Sequence, residues 1–253
     1  MTDARATFAI RSEAYAEARP RYPAELYSWI LDETTGREAA WDCACGNGQA
    51  ARDLAPHFQR VYASDISPEQ LNHAILAPNI EYRTASAESS GYPDAAFDLI
   101  TVAQALHWFD FGEFWPEVRR VARDGSFFCA WGYAWFSTPP DADLHLVQPI
   151  RRLIAPYWAP NNRLLWNGYR PDEVGFPFKP VRAPTMSIDL AWRPQELLAY
   201  MQTWSAYKRA SADAELRSLL ERVADTALSL LPSETRIPVS MPIAIIAGRV
   251  TRK

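Results

Sequence analysis

The chain has 253 residues, 48% of them hydrophobic, and a formal net charge of −4. That length and apolar content suit one full core with room for a smaller accessory lobe. The charge leaves no basic footprint for nucleic acid, no apolar run reaches membrane-spanning length, and the N-terminus lacks a secretory apolar segment, so a cytoplasmic protein without nucleic-acid or membrane partners is expected.

Residues 1–35 read as a polar helix followed by an amphipathic one in YPAELYSWIL, with Pro23 near its start. The preceding AYAEARPRYP, with Tyr15 and Arg19, either folds over a ligand or forms a surface helix pair with solvated arginines. A short apolar strand, Glu38–Cys43, then ends in small residues at Ala44, Gly46 and Gly48, and helix-compatible sequence runs from Gln49 to Leu54. Strand, turn and helix in this order present backbone N–H groups and an open helix N-terminus to a nucleotide-like ligand. A second strand, Arg60–Ala63, leads to Asp65, twenty-three residues after Asp42 and well placed to hold two ribose hydroxyls. Gly46, Gly48 and Ala51 satisfy the dinucleotide pattern G-x-G-x-x-A, so an NAD(P)-dependent oxidoreductase is one reading.

Further strands are expected at Ile80–Arg83, Ala96–Ala103 and Ser126–Ala134, with helices at Pro68–Ile75 and Phe111–Ala122. Strands alternating with helices predict a doubly wound, Rossmann-like parallel α/β sheet whose ligands gather at the strand C-termini. Ser86, Ala87 and Glu88 follow the third strand and Gln104–Asp110 the fourth, on the same rim as Gly46 and Asp65. Asp98 opens the fourth strand at the opposite end, where a structural role is expected. Cys43, Cys45 and Cys129 cannot all pair; all three fall in expected strands, which reads as buried thiols in a reducing compartment. No metal site is expected, since neither His nor a third Cys lies near Cys43 and Cys45 in sequence.

From residue 137 the character changes. Ten of the twenty prolines lie between Pro139 and Pro194, and eight of the ten tryptophans between Trp108 and Trp204. So many prolines disfavour continuous sheet and predict a helix-and-loop cap. Trp108, Trp131, Tyr133, Trp158 and Trp204 can line an aromatic substrate pocket or pack as the cap's own core. Arg151 and Arg152 can clamp an anionic substrate or remain solvated. A strand near Ala183–Leu190 and helices at Pro194–Tyr207 and Ala212–Leu231 follow, the last with Leu216, Leu219, Leu220, Val223 and Leu228 at core spacing. The expected divisions are 1–136 for the N-terminal helices and nucleotide-binding half, 137–193 for the cap with its return strand, and 194–253 for closing elements of the same domain.

The spaced motifs DCACGNG, VYASDIS, TASAE and FDLITVAQALHWFD resemble those of class I S-adenosylmethionine (SAM) methyltransferases, Ala44 replacing the usual first glycine. AQALHWFDFGEFWPEVRRVARDGSFFCAWGYAWF, with YAEARPRYP upstream, is similar to the trans-aconitate methyltransferase-like branch. The likeness spans about residues 8–136, and VSMPIAIIAGRV resembles that fold's closing antiparallel strand. It implies a seven-stranded sheet and SAM as cofactor, released as S-adenosylhomocysteine. It implies cofactor contacts from Asp42, Ala44, Cys45, Gly46, Asn47 and Gly48, the ribose on Asp65, and the adenine on Ile66 and Ser86–Ala87–Glu88. Gln104 would lie beneath the methionine moiety, with Tyr15 and Arg19 closing over it.

His107 is then the candidate catalytic residue, at the mouth of the fourth strand. It can take a proton from a hydroxyl or amine, orient a carboxylate, or simply pack at a strand–helix junction. The expected protein is a monomeric or homodimeric methyltransferase acting on a small molecule, a carboxylic acid among the candidate acceptors. A non-catalytic SAM-binding subunit is the remaining alternative.

Overall fold

The computed structural model describes residues 20–252. Eight strands occur there: β1 Ala39–Cys43, β2 Arg60–Asp65, β3 Ile80–Thr84, β4 Phe97–Ala103, β5 Ala122–Tyr133, β6 Lys179–Pro180, β7 Ser187–Trp192 and β8 Ile237–Arg249. The chain divides into two compact units. The larger comprises Tyr22–Ala134, Arg163–Met186 and the residues from Ile243 onward; Trp135–Asn162 and Ser187–Pro242 belong to the smaller.

In the larger unit the strand order is β3-β2-β1-β4-β5-β8-β6, the seven-stranded path the motifs imply. β1 to β5 pair in parallel, and the Ile243–Arg249 part of β8 lies antiparallel beside β5. The chain winds outward from β1 through β2 to β3 and then crosses to β4 on β1's other side. That reversal leaves a crevice beyond the C-terminal ends of β1 and β4, where ligands of open α/β sheets bind.

Strand burial explains the apolar runs. All seven residues of β4 but Ala103 are buried, as are the last four of β1, because both strands have sheet on each side. Trp41 is fully buried, stacks on Phe97 at 5.8 Å and donates its indole N–H to Ser64 at 2.9 Å. Tyr62 and Tyr92 complete this cluster edge-on, while Phe114, Trp115, Phe128, Phe176 and Phe178 form a second one. Each such ring pair adds about 0.5–1.5 kcal/mol beyond simple burial.

At the end of the sheet away from the crevice, Asp98 accepts from the backbone N–H groups of Glu38 and Ala39 at 2.8 and 3.0 Å. Its other oxygen meets Arg123 at 2.8 Å. Asp98 is therefore the clamp that starts β1. Cys43 and Cys129 lie in strands, but Cys45 sits in the turn after β1 rather than in the strand expected of it; all three are buried and unpaired. Burial raises each thiol above its ordinary value, which keeps it protonated.

The smaller unit is mostly helical. A run from Pro140 continues through a π-helical turn, Asp143–Val147, into the helix Gln148–Ile154. Helices Pro194–Gln202, Ser205–Ala210 and Ala214–Leu230 follow, and β7 pairs with the Ile237–Pro242 part of β8. The single helix expected over Pro194–Tyr207 breaks after Gln202. The seam of Ala214–Leu230 is Leu220, Ala224 and Ala227, with Leu216, Leu219, Val223 and Leu228 only half-buried beside it. Small residues let neighbouring helices approach there, so alanines take the centre that leucine spacing assigned elsewhere. Among the described residues no helix is long and apolar enough to cross a membrane, and no cluster of His, Cys, Asp and Glu could hold a metal ion.

Candidate active site

The crevice of the larger unit is built on the turn after β1. Ala44, Gly46 and Gly48 have φ of 53°, 56° and 81°, three left-handed positions in five residues. A Cβ on Gly46 would meet nothing closer than the Gln70 side chain at 3.8 Å, so its glycine answers to backbone conformation and leaves an open face. At Gly48 the demand is steric as well, because Tyr82 occupies the place a Cβ would take. Gly48 is the N-cap of the helix Gln49–Leu54, and Asn47 accepts from the Ile75 N–H at 3.0 Å. Cys45 donates its N–H to Ser64, tying the turn to β2.

Asp65 ends β2. Its two oxygens accept from the N–H groups of Gly46 and Ser67, each at 2.8 Å. A carboxylate oxygen has two lone-pair directions, so each keeps one for a ligand hydroxyl. Ile66, next in the chain, is 76% exposed although apolar. Ser86 and Glu88 are hydrogen-bonded to each other about the buried Ala87, and Glu88 also accepts from the Asp110 N–H at 3.1 Å. The segments after β3 and β4 are thereby joined on one rim.

Asp42 stands differently from the other candidates. It is fully buried, accepting from the Thr101 hydroxyl at 3.0 Å and the Ala51 N–H at 2.9 Å. Burial pushes its carboxyl up to about 7 even though both hydrogen bonds oppose the rise. Its side chain has no exposed surface and holds the first turn of the helix against β1 and β4.

Gln104, at φ 59°, follows β4, donates its backbone N–H to the Trp131 carbonyl at 2.8 Å and its side-chain N–H to the Tyr133 carbonyl at 3.1 Å. His107 lies one short turn further, 4% exposed, its Nδ1 2.8 Å from the Tyr169 hydroxyl. Burial lowers the imidazole to about 4, so the ring is neutral at physiological pH. Trp108 beside it is 47% exposed. Trp131 is not a pocket wall: it is wholly buried and packs edge-on against Tyr22 and Tyr27. Tyr133, also buried, is at 6.1 Å from Tyr22.

Arg151, Arg152, Trp158 and Trp204 belong to the smaller unit. There Trp135, Trp158 and Trp204, each half-buried, pack on one another with ring centroids 5.7–6.0 Å apart. Arg151 lies 3.9 Å over the Trp135 ring, and Arg152 reaches Gln148 at 3.3 Å. Tyr15 and Arg19 lie outside the described residues.

Four residues of the larger unit escape the sequence reading. Thr101 and Tyr82 act on Asp42 and Gly48 from neighbouring strands, with no local signature. Gly132 has one: a glycine inside an apolar strand marks close approach, here of Gln104 and Tyr169. Tyr169 follows the turn dipeptide Asn167-Gly168 and is itself left-handed at φ 53°.

Residues 41–130 match a family model described as a methyltransferase domain. A solved structure from Anaeromyxobacter dehalogenans, described provisionally as a type II methyltransferase, is 37% identical, covers 92% of this chain and 98% of its own, and superposes with a TM-score of 0.79. A Dictyostelium discoideum protein provisionally named a methyltransferase is 29% identical over 94% of this chain and 92% of its own length. A fission-yeast protein, named methyltransferase-like and uncharacterised, is 33% identical over 46% of this chain and 47% of its own. The chain belongs to the class I SAM-dependent methyltransferases.

Proposed function

We propose that the chain binds SAM in the crevice of the larger unit and methylates a small carboxylic acid, as in the trans-aconitate methyltransferase-like branch. It would work in the cytoplasm, as a monomer or homodimer. The observation that carries the cofactor assignment is Asp65, held by the N–H groups of Gly46 and Ser67 beside a glycine whose Cβ position is open. A glycine whose missing Cβ leaves open space, beside a carboxylate with spare lone pairs, suits a ribose. The exposed Ile66 and the Ser86–Glu88 turn suit the attached base.

When bound, SAM would supply a sulfonium methyl whose carbon an acceptor lone pair attacks, the carbon–sulfur pair leaving with sulfur. The chain's part is to hold and align. Asp65 would hold the ribose, Gly46 and Gly48 would let the ligand approach the backbone, and Gln104 would support the methionine end. Asp42 keeps the turn in shape from within. A carboxylate acceptor arrives already deprotonated, so transfer requires alignment and a water-poor surrounding rather than a base. The neutral His107 beyond β4 agrees with that economy.

The test has two arms. Calorimetry of SAM, S-adenosylhomocysteine, NAD and NADP should show tight binding of the first two alone. Methyl transfer from labelled SAM across mono-, di- and tricarboxylates, phenols and amines should then give carboxylate esters. Preference for NAD(P) would overturn the cofactor assignment, and turnover confined to phenols or amines would overturn the acceptor.

A further inference from the structure

We propose that Tyr169 is a positioning residue whose O–H donates to Nδ1 of His107, holding the imidazole as the Nε2–H tautomer, a hydrogen-bond donor to the acceptor's oxygen and not a base. The inference rests on the methyl-transfer reading above and deepens it.

The geometry is unusual in two ways. The Nδ1···O distance is 2.8 Å, with both partners buried: His107 is 4% exposed and Tyr169 1%. Tyr169 and Gly168 are consecutive left-handed residues, with φ of 53° and 80°. A bulky aromatic residue is a rare occupant of that region, and such outliers persist where surrounding structure enforces them, often beside functional groups. Gly132 on β5 supplies the space. A Cβ there would stand 2.7 Å from Gln104 Oε1 and 3.3 Å from the Tyr169 hydroxyl. Gln104, Tyr169 and His107 therefore converge on the ends of β4 and β5, at the crevice rim.

Proton accounting selects the tautomer. Burial raises the phenol and lowers the imidazole, so both are neutral and no tyrosinate–imidazolium pair forms. Two neutral arrangements remain. If Nδ1–H donated to the phenol oxygen, the phenolic proton would need another acceptor, and among the described residues the Tyr169 hydroxyl has only His107. A buried donor without an acceptor is the costlier outcome. With O–H donating to Nδ1, the phenol and Nδ1 satisfy each other, and the ring's remaining proton sits on Nε2, which has no acceptor among the described residues and is left for a ligand.

An Nε2 that already carries its proton cannot take one from the acceptor. It can donate to one oxygen of a carboxylate while the other forms a bond to the methyl carbon. The methyl–sulfur bond breaks with its pair left on sulfur, an ester and a thioether result, and no proton moves.

Long-range ¹H–¹⁵N spectra of the full chain labelled at histidine, with and without S-adenosylhomocysteine, read the tautomer directly; His107→Gln assigns the signal. The expected result is a protonated Nε2 and bare Nδ1 across neutral pH. Tyr169→Phe should mix the tautomers and lower kcat/KM for the acid on the order of tenfold, the effect of one hydrogen bond, at unchanged S-adenosylhomocysteine affinity. A protonated Nδ1 in the wild type overturns the proposal, as does a Tyr169→Phe protein with unaltered tautomer. If S-adenosylhomocysteine fails to bind the wild type, the methyl-transfer reading falls, and with it the role but not the tautomer.

Discussion

Tyr82 stands on Gly48: the hydroxyl end of its ring fills the place a Cβ would occupy, and that hydroxyl donates to the Ile75 carbonyl at 2.7 Å. One strand residue thus braces both the glycine turn after β1 and the Asn72–Ala77 connection. Gly48→Ala should meet both this contact and the left-handed φ of 81°. The backbone alone costs about 1–2 kcal/mol, and the contact adds to it. In a double-mutant cycle by urea denaturation, Tyr82→Ala should recover part of the Gly48→Ala loss. Strict additivity would show that the ring is not what excludes the Cβ.

Asp65 gives the sharpest binding prediction. Asp65→Asn keeps its shape but exchanges an acceptor oxygen for a donor, and Asp65→Ala removes both acceptors. S-adenosylhomocysteine affinity should fall by on the order of 1.5–3 kcal/mol in the alanine variant, as for hydrogen bonds to a charged group. Titration calorimetry reads this, and wild-type affinity in Asp65→Ala would remove the ribose assignment.

The legible part of the site is the part written locally. The run from Trp41 through Gly48 to Asp65, and the positions of Ser86, Gln104 and His107 after successive strands, follow from alternating apolar segments and small-residue turns. All of them lie on elements ending at one edge of the sheet. The arrangement of supporting residues was not legible. Tyr169 meets His107 across 62 positions, Thr101 meets Asp42 across 59, and neither spacing has a period to read. β5 begins at Ala122 rather than Ser126, because an irregular register at Phe97/Leu99 absorbs Arg123–Gly125, a stretch that looks like a turn. The same limit applies to Arg151 and the tryptophans: composition shows an aromatic unit but not which rings and cations pack on one another.

His107 and Asp42 should pull stability in opposite directions with pH. His107 has a folded value of about 4 against an ordinary 6.5, so between those values the unfolded chain binds more protons. Its contribution is present above pH 6.5 and is lost as pH falls toward 4. Asp42 is raised from 3.8 to about 7, so in that window the folded chain binds more protons. Its contribution is present below about pH 4 and is lost as pH rises through 7. Denaturation midpoints between pH 4.5 and 7.5 should therefore rise less steeply with pH in His107→Gln than in the wild type. They should rise more steeply in Asp42→Asn. Parallel profiles for all three proteins would show that neither group titrates as its burial requires.

Arg151 carries the last prediction. Its guanidinium lies 3.9 Å over the Trp135 ring, inside a cluster that also holds Trp158 and Trp204. A half-buried cation on an indole face contributes about 1 kcal/mol, and the aliphatic stem covers apolar surface besides. Arg152, one position on, is a different case: its one described partner is the exposed Gln148, at 3.3 Å. Arg151→Ala should accordingly lower stability by about 1–2 kcal/mol and Arg152→Ala by less than about 0.5 kcal/mol. Arg151→Lys should fall between, since a lysine keeps the charge but loses the planar stacking surface. Urea denaturation followed by tryptophan fluorescence measures all three. If Arg151 is held by this stack for stability, KM for a carboxylate acceptor should stay near wild type in Arg151→Ala. A large rise in KM with unchanged stability would instead assign the guanidinium to substrate binding.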